Sequence, residues 1–76
     1  MRTLDLHGVS HEDAYLKCHK FINANYGHDM FIITGHSDKM KKIVSDVVEK
    51  YRLQYLVGGV TGTHGVVRIF GGNTNE

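Results

Sequence analysis

Apolar and polar residues alternate at the start of the chain with the period of an extended strand. In residues 2–7, Leu4 and Leu6 fall on one side of the backbone. Asp5 and His7 fall on the other side. Because successive side chains of a strand point to opposite faces of a sheet, this pattern predicts a half-buried strand with two ionisable side chains on its outer face.

The next stretch, residues 9–27, has helical spacing. Ser10 is suited to cap its amino end, and Asp13 lies three residues later, as in a capping box. Gly27 is a natural stop for this helix. The apolar residues that share one face of the predicted helix are Ala14, Cys18, Phe21 and Ile22.

The remaining elements follow from two patterns. Residues 30–35 are a short apolar run, rich in β-branched side chains and ended by glycine, which predicts a central strand. Residues 37–51 have the spacing of an amphipathic helix, and two short strands are predicted at 53–59 and 65–70. The apolar residues of the second helix lie on an arc of roughly 140°: Met40, Ile43, Val44, Val47, Val48 and Tyr51.

The order strand, helix, strand, helix, strand, strand predicts a small α/β fold. Two crossover helices imply parallel neighbours among the first three strands, and a final hairpin adds an antiparallel strand. We therefore predict a two-layer α/β sandwich of βαβαββ order, with a mixed four-stranded sheet and both helices on one face. A single domain is expected over residues 1–71, followed by a flexible tail at 72–76.

The composition favours one small cytoplasmic domain. The 76 residues carry a net charge of +1, which does not by itself indicate a nucleic-acid binder. No apolar run approaches a membrane span or a signal peptide, so no membrane partner is expected. The single cysteine, Cys18, rules out an intrachain disulfide. A monomer or a weak homodimer is expected.

Six histidines are the unusual feature of the composition, because histidine serves as an acid, a base or a metal ligand near neutral pH. His7 ends the first predicted strand, and His36 follows the second. If the third strand is also parallel, its end leads towards His64. Ligands of open α/β sheets bind beyond the carboxyl ends of the strands, so these three side chains are predicted to share one functional edge.

Basic residues crowd the start of the second predicted helix. Lys39, Lys41 and Lys42 fall in its first two turns, where the helix dipole disfavours cations, and Gly35 precedes them. An incoming phosphate would reverse that penalty, and a glycine-led loop that enters a helix is a recurrent phosphate site. The alternative is a solvated face of lysines.

Arg68 and Asp5 are both predicted on the outer face of the sheet. Pairing of Arg68 with Asp5 and phosphate binding by Arg68 are both open. No aromatic stacking platform of the kind used by single-strand binders is evident. For Asp5 and His7, the structural alternative is a hydrogen-bonded strand end, with Asp5 capping a turn. The functional alternative is a carboxylate that orients a catalytic imidazole.

Five pieces of the chain together point to one family: Leu4-Asp5-Leu6-His7-Gly8, His11-Glu12-Asp13-Ala14, the FIITG stretch, His36-Ser37 and Gly65-Val66-Val67-Arg68-Ile69. With these pieces the chain resembles the small MutS-related (Smr) domain over most of residues 3–70. The resemblance implies a βαβαββ fold and nucleic-acid binding. It also implies endonuclease activity, since a number of Smr domains cleave DNA or RNA, including messenger RNA on stalled ribosomes.

The resemblance also assigns residues. The Asp and His that the family uses in cleavage fall on Asp5 and His7, and its Thr-Gly-x-Gly loop begins at Thr34 and Gly35. Here Gly35 runs directly into His36, so the second glycine of that loop is missing and the loop is shorter. We expect His36 or the lysines to take over the missing phosphate contacts.

The sequence therefore predicts a nucleic-acid-binding domain with endonuclease activity, and RNA is preferred over DNA. Asp5 and His7 form the predicted catalytic pair, with His36 or His64 as the acid for the leaving oxygen. The predicted nucleic-acid contacts are Thr34, Gly35, Ser37, Lys39, Lys42, His64 and Arg68. No cofactor is required; structural zinc is excluded for lack of ligands, and a weakly held divalent metal is an open alternative. The alternative function is a non-catalytic module that binds nucleic acid, a ribosome or a protein.

Overall fold

The structure, a computed structural model, describes residues 2–58 and 65–71 of the chain. The predicted tail at 72–76 lies outside these residues. The elements are β1 Arg2–Asp5, α1 His11–Ala24, β2 Met30–Ile33, α2 Asp38–Lys50, β3 Gln54–Val57 and β4 Val66–Phe70. The predicted fold class is confirmed: two helices and a four-stranded mixed sheet form a small α/β sandwich.

A single aliphatic core lies between the helices and one face of the sheet. Phe21, Ile43 and Tyr51 are partly buried and pack at its margin, as the helical patterns predict. Burial raises the pKa of the Cys18 thiol to about 12. The core residues are Leu6, Ala14, Cys18, Ile22, Met30, Ile32, Met40, Val44, Val47, Val48, Val67 and Ile69.

Both helices begin at a serine cap. The Ser10 hydroxyl accepts a hydrogen bond from the Asp13 amide at 3.2 Å, and the Ser37 hydroxyl accepts one from the Met40 amide at 3.0 Å. Each bond satisfies an amide that has no partner inside its helix. α1 ends before the predicted Gly27, where the Asn25 side-chain amide donates to a main-chain carbonyl at 2.8 Å.

The strand order is β1-β2-β4-β3. β1 is parallel to β2, while β4 is antiparallel to both β2 and β3. The predicted parallel neighbours among the first three strands are therefore found for β1 and β2. They are not found for β2 and β3, because β4 lies between these two strands. β4 buries Val67 and Ile69 completely and suits the interior of the sheet, whereas β3 leaves Leu56 and Val57 about half exposed and suits an edge.

This topology brings one set of turns to one edge of the sheet. β3 still runs in the direction of β2, since both are antiparallel to β4. The carboxyl ends of β1, β2 and β3 and the start of β4 consequently lie at the same edge. We call the part of this edge formed by residues 7–8, 34–37 and 65 the rim.

No helix in the described part of the chain is long and apolar enough to cross a membrane.

Candidate functional site at the rim

The first turn of the rim presents His7 to solvent. The His7 amide donates to the Asp5 carboxylate at 2.9 Å, and the Val9 amide donates to the Leu6 carbonyl at 3.0 Å. Gly8 has a φ of 81°, a backbone conformation that glycine adopts without strain. Asp5 thus fixes the backbone of the turn, and the His7 side chain is exposed beyond it.

Asp5 does not orient the imidazole in this structure. Within residues 2–58 and 65–71, its carboxylate is bonded to the main chain of His7, and no hydrogen bond joins it to the His7 ring. Of the two interpretations left open by the sequence, the geometry matches the turn-capping role. Any contribution of Asp5 to chemistry at His7 acts through the shape of the turn or through its charge.

The His7 ring lies against the second turn of the rim. A Cβ built on Gly35 would be 3.5 Å from His7 Cδ2, which is ordinary van der Waals contact. Gly35 has a φ of 69°. His7 and Gly35 are 28 positions apart in sequence but adjacent in space, as expected if the ends of parallel strands share one edge of the sheet.

The second turn is held by the start of β4. The Gly65 carbonyl accepts from the amides of Thr34 at 2.6 Å and Gly35 at 3.1 Å. A Cβ on Gly65 would lie only 2.8 Å from the Gly35 carbonyl oxygen, and Gly65 has a φ of 78°. Both the contact and the backbone conformation require glycine at position 65.

Thr34 is placed differently from what the resemblance implies. It is buried, its amide is bonded to Gly65, and its hydroxyl donates to the Gly35 carbonyl at 3.0 Å. The Gly35 amide is likewise bonded to Gly65. With these donors used inside the fold, Thr34 supports the rim from within, and the outer surface of the turn begins at Gly35.

The amino end of α2 follows this turn directly. The Ser37 hydroxyl accepts a hydrogen bond from the Met40 amide, and the Ser37 carbonyl accepts one from the Lys41 amide at 3.1 Å. In the described part of the chain this leaves the amides of Asp38 and Lys39 without an acceptor. Such amides, with the positive end of the helix dipole, attract anions.

The basic residues of α2 are not equivalent. Lys39 is exposed in the first turn. Lys42 forms an ion pair with Asp46 at 3.0 Å, and the hydrogen bond that its ammonium donates to this carboxylate raises the pKa of Lys42. His36 in the second turn of the rim is exposed, and so is Asp38 at the start of α2. Lys39 and His36 are consequently exposed basic side chains at the amino end of α2, beside the carboxylate of Asp38.

Arg68 lies on the outer face of the sheet, as predicted, but not at the rim. Its guanidinium pairs with Asp29 at 3.3 Å, so the suggested pairing with Asp5 is wrong. Asp29 precedes β2, at the opposite edge of the sheet. Hydrogen bonds from the Gly71 amide and from Arg68 lower the pKa of the Asp29 carboxyl.

The last predicted site residue, His64, lies outside the described residues. Among those that are described, no group of three or more His, Cys, Asp or Glu side chains is arranged to hold a metal ion.

Sequence reasoning missed the role of Gly65. Its carbonyl and its lack of a Cβ decide the shape of the second turn. The available signal was its place at the end of a glycine-rich connection, directly before a strand with buried alternate residues. That signal gives a turn, but it does not reveal that the strand pairs with β2.

Comparison of the chain with protein-family models, with curated proteins and with solved structures found no match.

Proposed function

We propose that the rim is a nucleic-acid-binding site with endonuclease activity, of the kind implied by the resemblance to Smr domains. The observation that supports this most is the exposed His7 imidazole against the Gly35 turn, next to the amino end of α2. A titratable ring and an anion-attracting helix end then lie side by side. The ring can act as an acid or a base on a hydroxyl, and the helix end can stabilise the charge of a phosphate, so together they can support cleavage of a phosphodiester.

RNA is the preferred substrate in this proposal because its 2′-hydroxyl supplies the nucleophile. His7 accepts the proton of the 2′-hydroxyl, whose oxygen attacks the adjacent phosphorus. The bond to the 5′-oxygen breaks, and His36 or His64 gives a proton to the leaving oxygen. The products are a 2′,3′-cyclic phosphate and a 5′-hydroxyl, and no metal takes part in this route.

Phosphate binding in the proposal comes from the amino end of α2. The amides of Asp38 and Lys39 donate to the phosphate, and the Lys39 ammonium neutralises part of its charge. Lys42 contributes less because Asp46 already pairs with it. RNA, DNA or a ribosome in the cytoplasm would provide the partner, and the predicted monomer or weak homodimer is retained.

A non-catalytic module is the second candidate, and one observation favours it. Asp5 is bonded to the main chain of His7 and does not contact its ring, so no side chain in the described ranges orients that imidazole. In this case the rim would bind nucleic acid without cutting it, and affinity would fall as salt concentration rises.

The deciding experiment is a cleavage assay with His7→Ala and Asp5→Asn on single- and double-stranded RNA and DNA, with and without chelator. We expect His7→Ala to slow cleavage by about 10²–10⁴-fold, the usual contribution of a general base. His28→Ala is the matched control, because His28 is an exposed histidine at the opposite edge of the sheet.

The product ends separate the mechanisms. A cyclic phosphate with a 5′-hydroxyl, formed in the presence of chelator, supports the histidine route. Folded His7→Ala protein that cuts as fast as the parent would contradict the catalytic assignment. Binding without cleavage by the parent would favour the non-catalytic module.

A further inference from the structure

The face of the sheet that the helices leave uncovered carries two aromatic rings. Phe31 of β2 is paired in register with Arg68 of β4, and Phe70 lies two residues further along β4 on the same side. The Arg68 guanidinium carbon lies 4.7 Å from the centroid of the Phe70 ring and 5.8 Å from that of Phe31. We call one part of this surface, on β2, β4 and β3, the open face: Phe31, Ile33, Leu56, Val66, Arg68 and Phe70. The polar residues Thr3, Asp5 and Gln54 occupy the neighbouring outward positions.

Arg68 covers these rings but is weakly held there. Within residues 2–58 and 65–71 its one ion pair is with Asp29, which is about half exposed, so the pair is screened by water. Its Nε is buried and has no hydrogen-bond acceptor among the described residues. An unpartnered buried donor is unfavourable, so an added acceptor such as a phosphate oxygen would offset part of the contacts that Arg68 loses when it moves off the phenyl rings.

The open face is continuous with the rim. Two residues along β2 and β4 from the Phe31–Arg68 pair, Ile33 pairs with Val66. On its other side Ile33 pairs with Asp5 of β1. Phe31 lies four residues before Gly35 and Phe70 five residues after Gly65, so roughly 13–17 Å of strand separates these rings from the rim. A flexible polymer held at the rim therefore reaches the rings of the open face after a few units.

The dimensions of the open face suit a base better than a folded protein. Strands spaced about 4.8 Å apart, with four or five residues each, give a flat area of roughly 200–250 Å². A stable protein interface needs about 800 Å² on each partner. Nucleobases, in contrast, stack on single aromatic side chains, and a guanidinium binds the phosphate between them.

We propose that the open face is a stacking platform for bases of single-stranded nucleic acid. Phe31 and Phe70 take one or two bases, and Arg68 leaves Asp29 to bind a backbone phosphate. The inference rests on the proposed function at the rim and specifies its substrate as single-stranded. No stacking platform is evident in the sequence, because the two phenylalanines are 39 positions apart and only the β2–β4 pairing brings them together.

The test uses labelled single-stranded RNA and a strand of the same length whose residues are abasic. Phe31→Leu and Phe70→Leu keep an apolar side chain and remove the ring. We expect each variant to bind the base-containing strand about 5- to 100-fold more weakly, the range for the loss of a stacked base, and the abasic strand as the parent does. Tyr26→Leu, which removes an exposed ring from another surface, is the matched control and leaves both affinities unchanged.

The possible outcomes separate the failure of the platform from the failure of the rim site. Unchanged affinity in folded Phe31→Leu and Phe70→Leu, with binding still dependent on His7, would remove the platform and leave the rim site standing. Loss of affinity in these variants with no effect of His7→Ala on binding or cleavage would leave the platform and remove the rim site. Failure of the parent to bind any strand would overturn both. A parent dimer that Phe31→Leu converts to monomers would assign the open face to a second copy of the chain.

Discussion

The two strand-to-helix turns of this molecule have the same parts but different support. Each contains a glycine with positive φ, a histidine and a serine that caps the next helix. Around Gly8 the first turn is open, because a Cβ there would meet nothing within 4 Å. The second turn is fixed by the Gly65 carbonyl, which accepts two of its amides.

This difference indicates that the two turns have different roles at the rim. The first turn projects the exposed His7 ring, and the second provides a fixed surface against which that ring lies. An exposed functional group beside a fixed anion-attracting helix end suits the binding and cutting of a flexible strand. Variants that act on one turn and spare the other therefore test the account.

The largest effect on stability is expected from Gly65→Ala. The added methyl group would meet the Gly35 carbonyl and the new residue would have to adopt a φ of 78°, so we expect a loss of about 3 kcal/mol or more. Gly8→Ala is the control, with a similar φ of 81° and open space around it, and we expect about 1–2 kcal/mol. Thermal unfolding measures both, and equal losses would contradict the bracing role of Gly65.

The reactivity of the Cys18 thiol measures independently how much Gly65→Ala and Gly8→Ala destabilise the fold. Burial raises the pKa of its thiol to about 12 from an ordinary value of 9.0, so the folded protein keeps the thiol protonated at pH 8. We expect a thiol reagent to react only through opened molecules, with the rate in the order Gly65→Ala, Gly8→Ala, parent. The raised pKa stabilises the folded state below pH 9, and this stabilisation is lost as the pH rises towards 12. The free energy of unfolding should therefore fall between pH 9 and pH 12, and it should fall less in Cys18→Ala.

The serine caps that follow the two turns allow a comparison of smaller stability losses. Ser10→Ala and Ser37→Ala each remove a side-chain acceptor for a helix amide, and each should cost about 1 kcal/mol. Ser37 is partly buried while Ser10 is exposed, so we expect the larger loss at Ser37. Replacement by aspartate, which also caps, should recover most of the stability at Ser10. A negligible effect of Ser37→Ala on chemical denaturation would show that the α2 start is held by other contacts.

The smallest effect is expected from Asp5, and it separates shape from charge in the first turn. Asp5→Ala removes the acceptor of the His7 amide and should cost about 0.5–1 kcal/mol, as an exposed hydrogen bond does. Asp5→Asn keeps an acceptor oxygen and should leave stability unchanged. If cleavage nevertheless falls in Asp5→Asn, the charge of Asp5 contributes to chemistry; if it falls only in Asp5→Ala, Asp5 is a positioning residue.

Much of the fold follows from local patterns in the sequence. Alternation at Leu4 and Leu6, helical spacing from Met40 to Val48 and serine caps each depend on neighbouring residues, which the sequence displays directly. The placing of His7 and His36 at one edge follows from the parallel direction of β1 and β2. These features were predictable because they need only the period of each element and the direction of a crossover.

The remaining features depend on which strand lies beside β2. Insertion of β4 between β2 and β3 brings Gly65 to Thr34 and Phe31 to Arg68, and no local pattern encodes those pairings. The partner of Arg68 could not be identified from the sequence for the same reason, because Asp29 becomes its neighbour only through this register.

The central claim is that the two turns form one nucleic-acid site, and an NMR titration of labelled protein with single-stranded RNA tests it most directly. We predict the largest amide shift changes at residues 7–9 and 35–39, with smaller changes at Phe31 and Phe70. Changes confined to the outer surface of α1 and α2, around Tyr15 and Lys50, or no changes at either turn, would contradict the account.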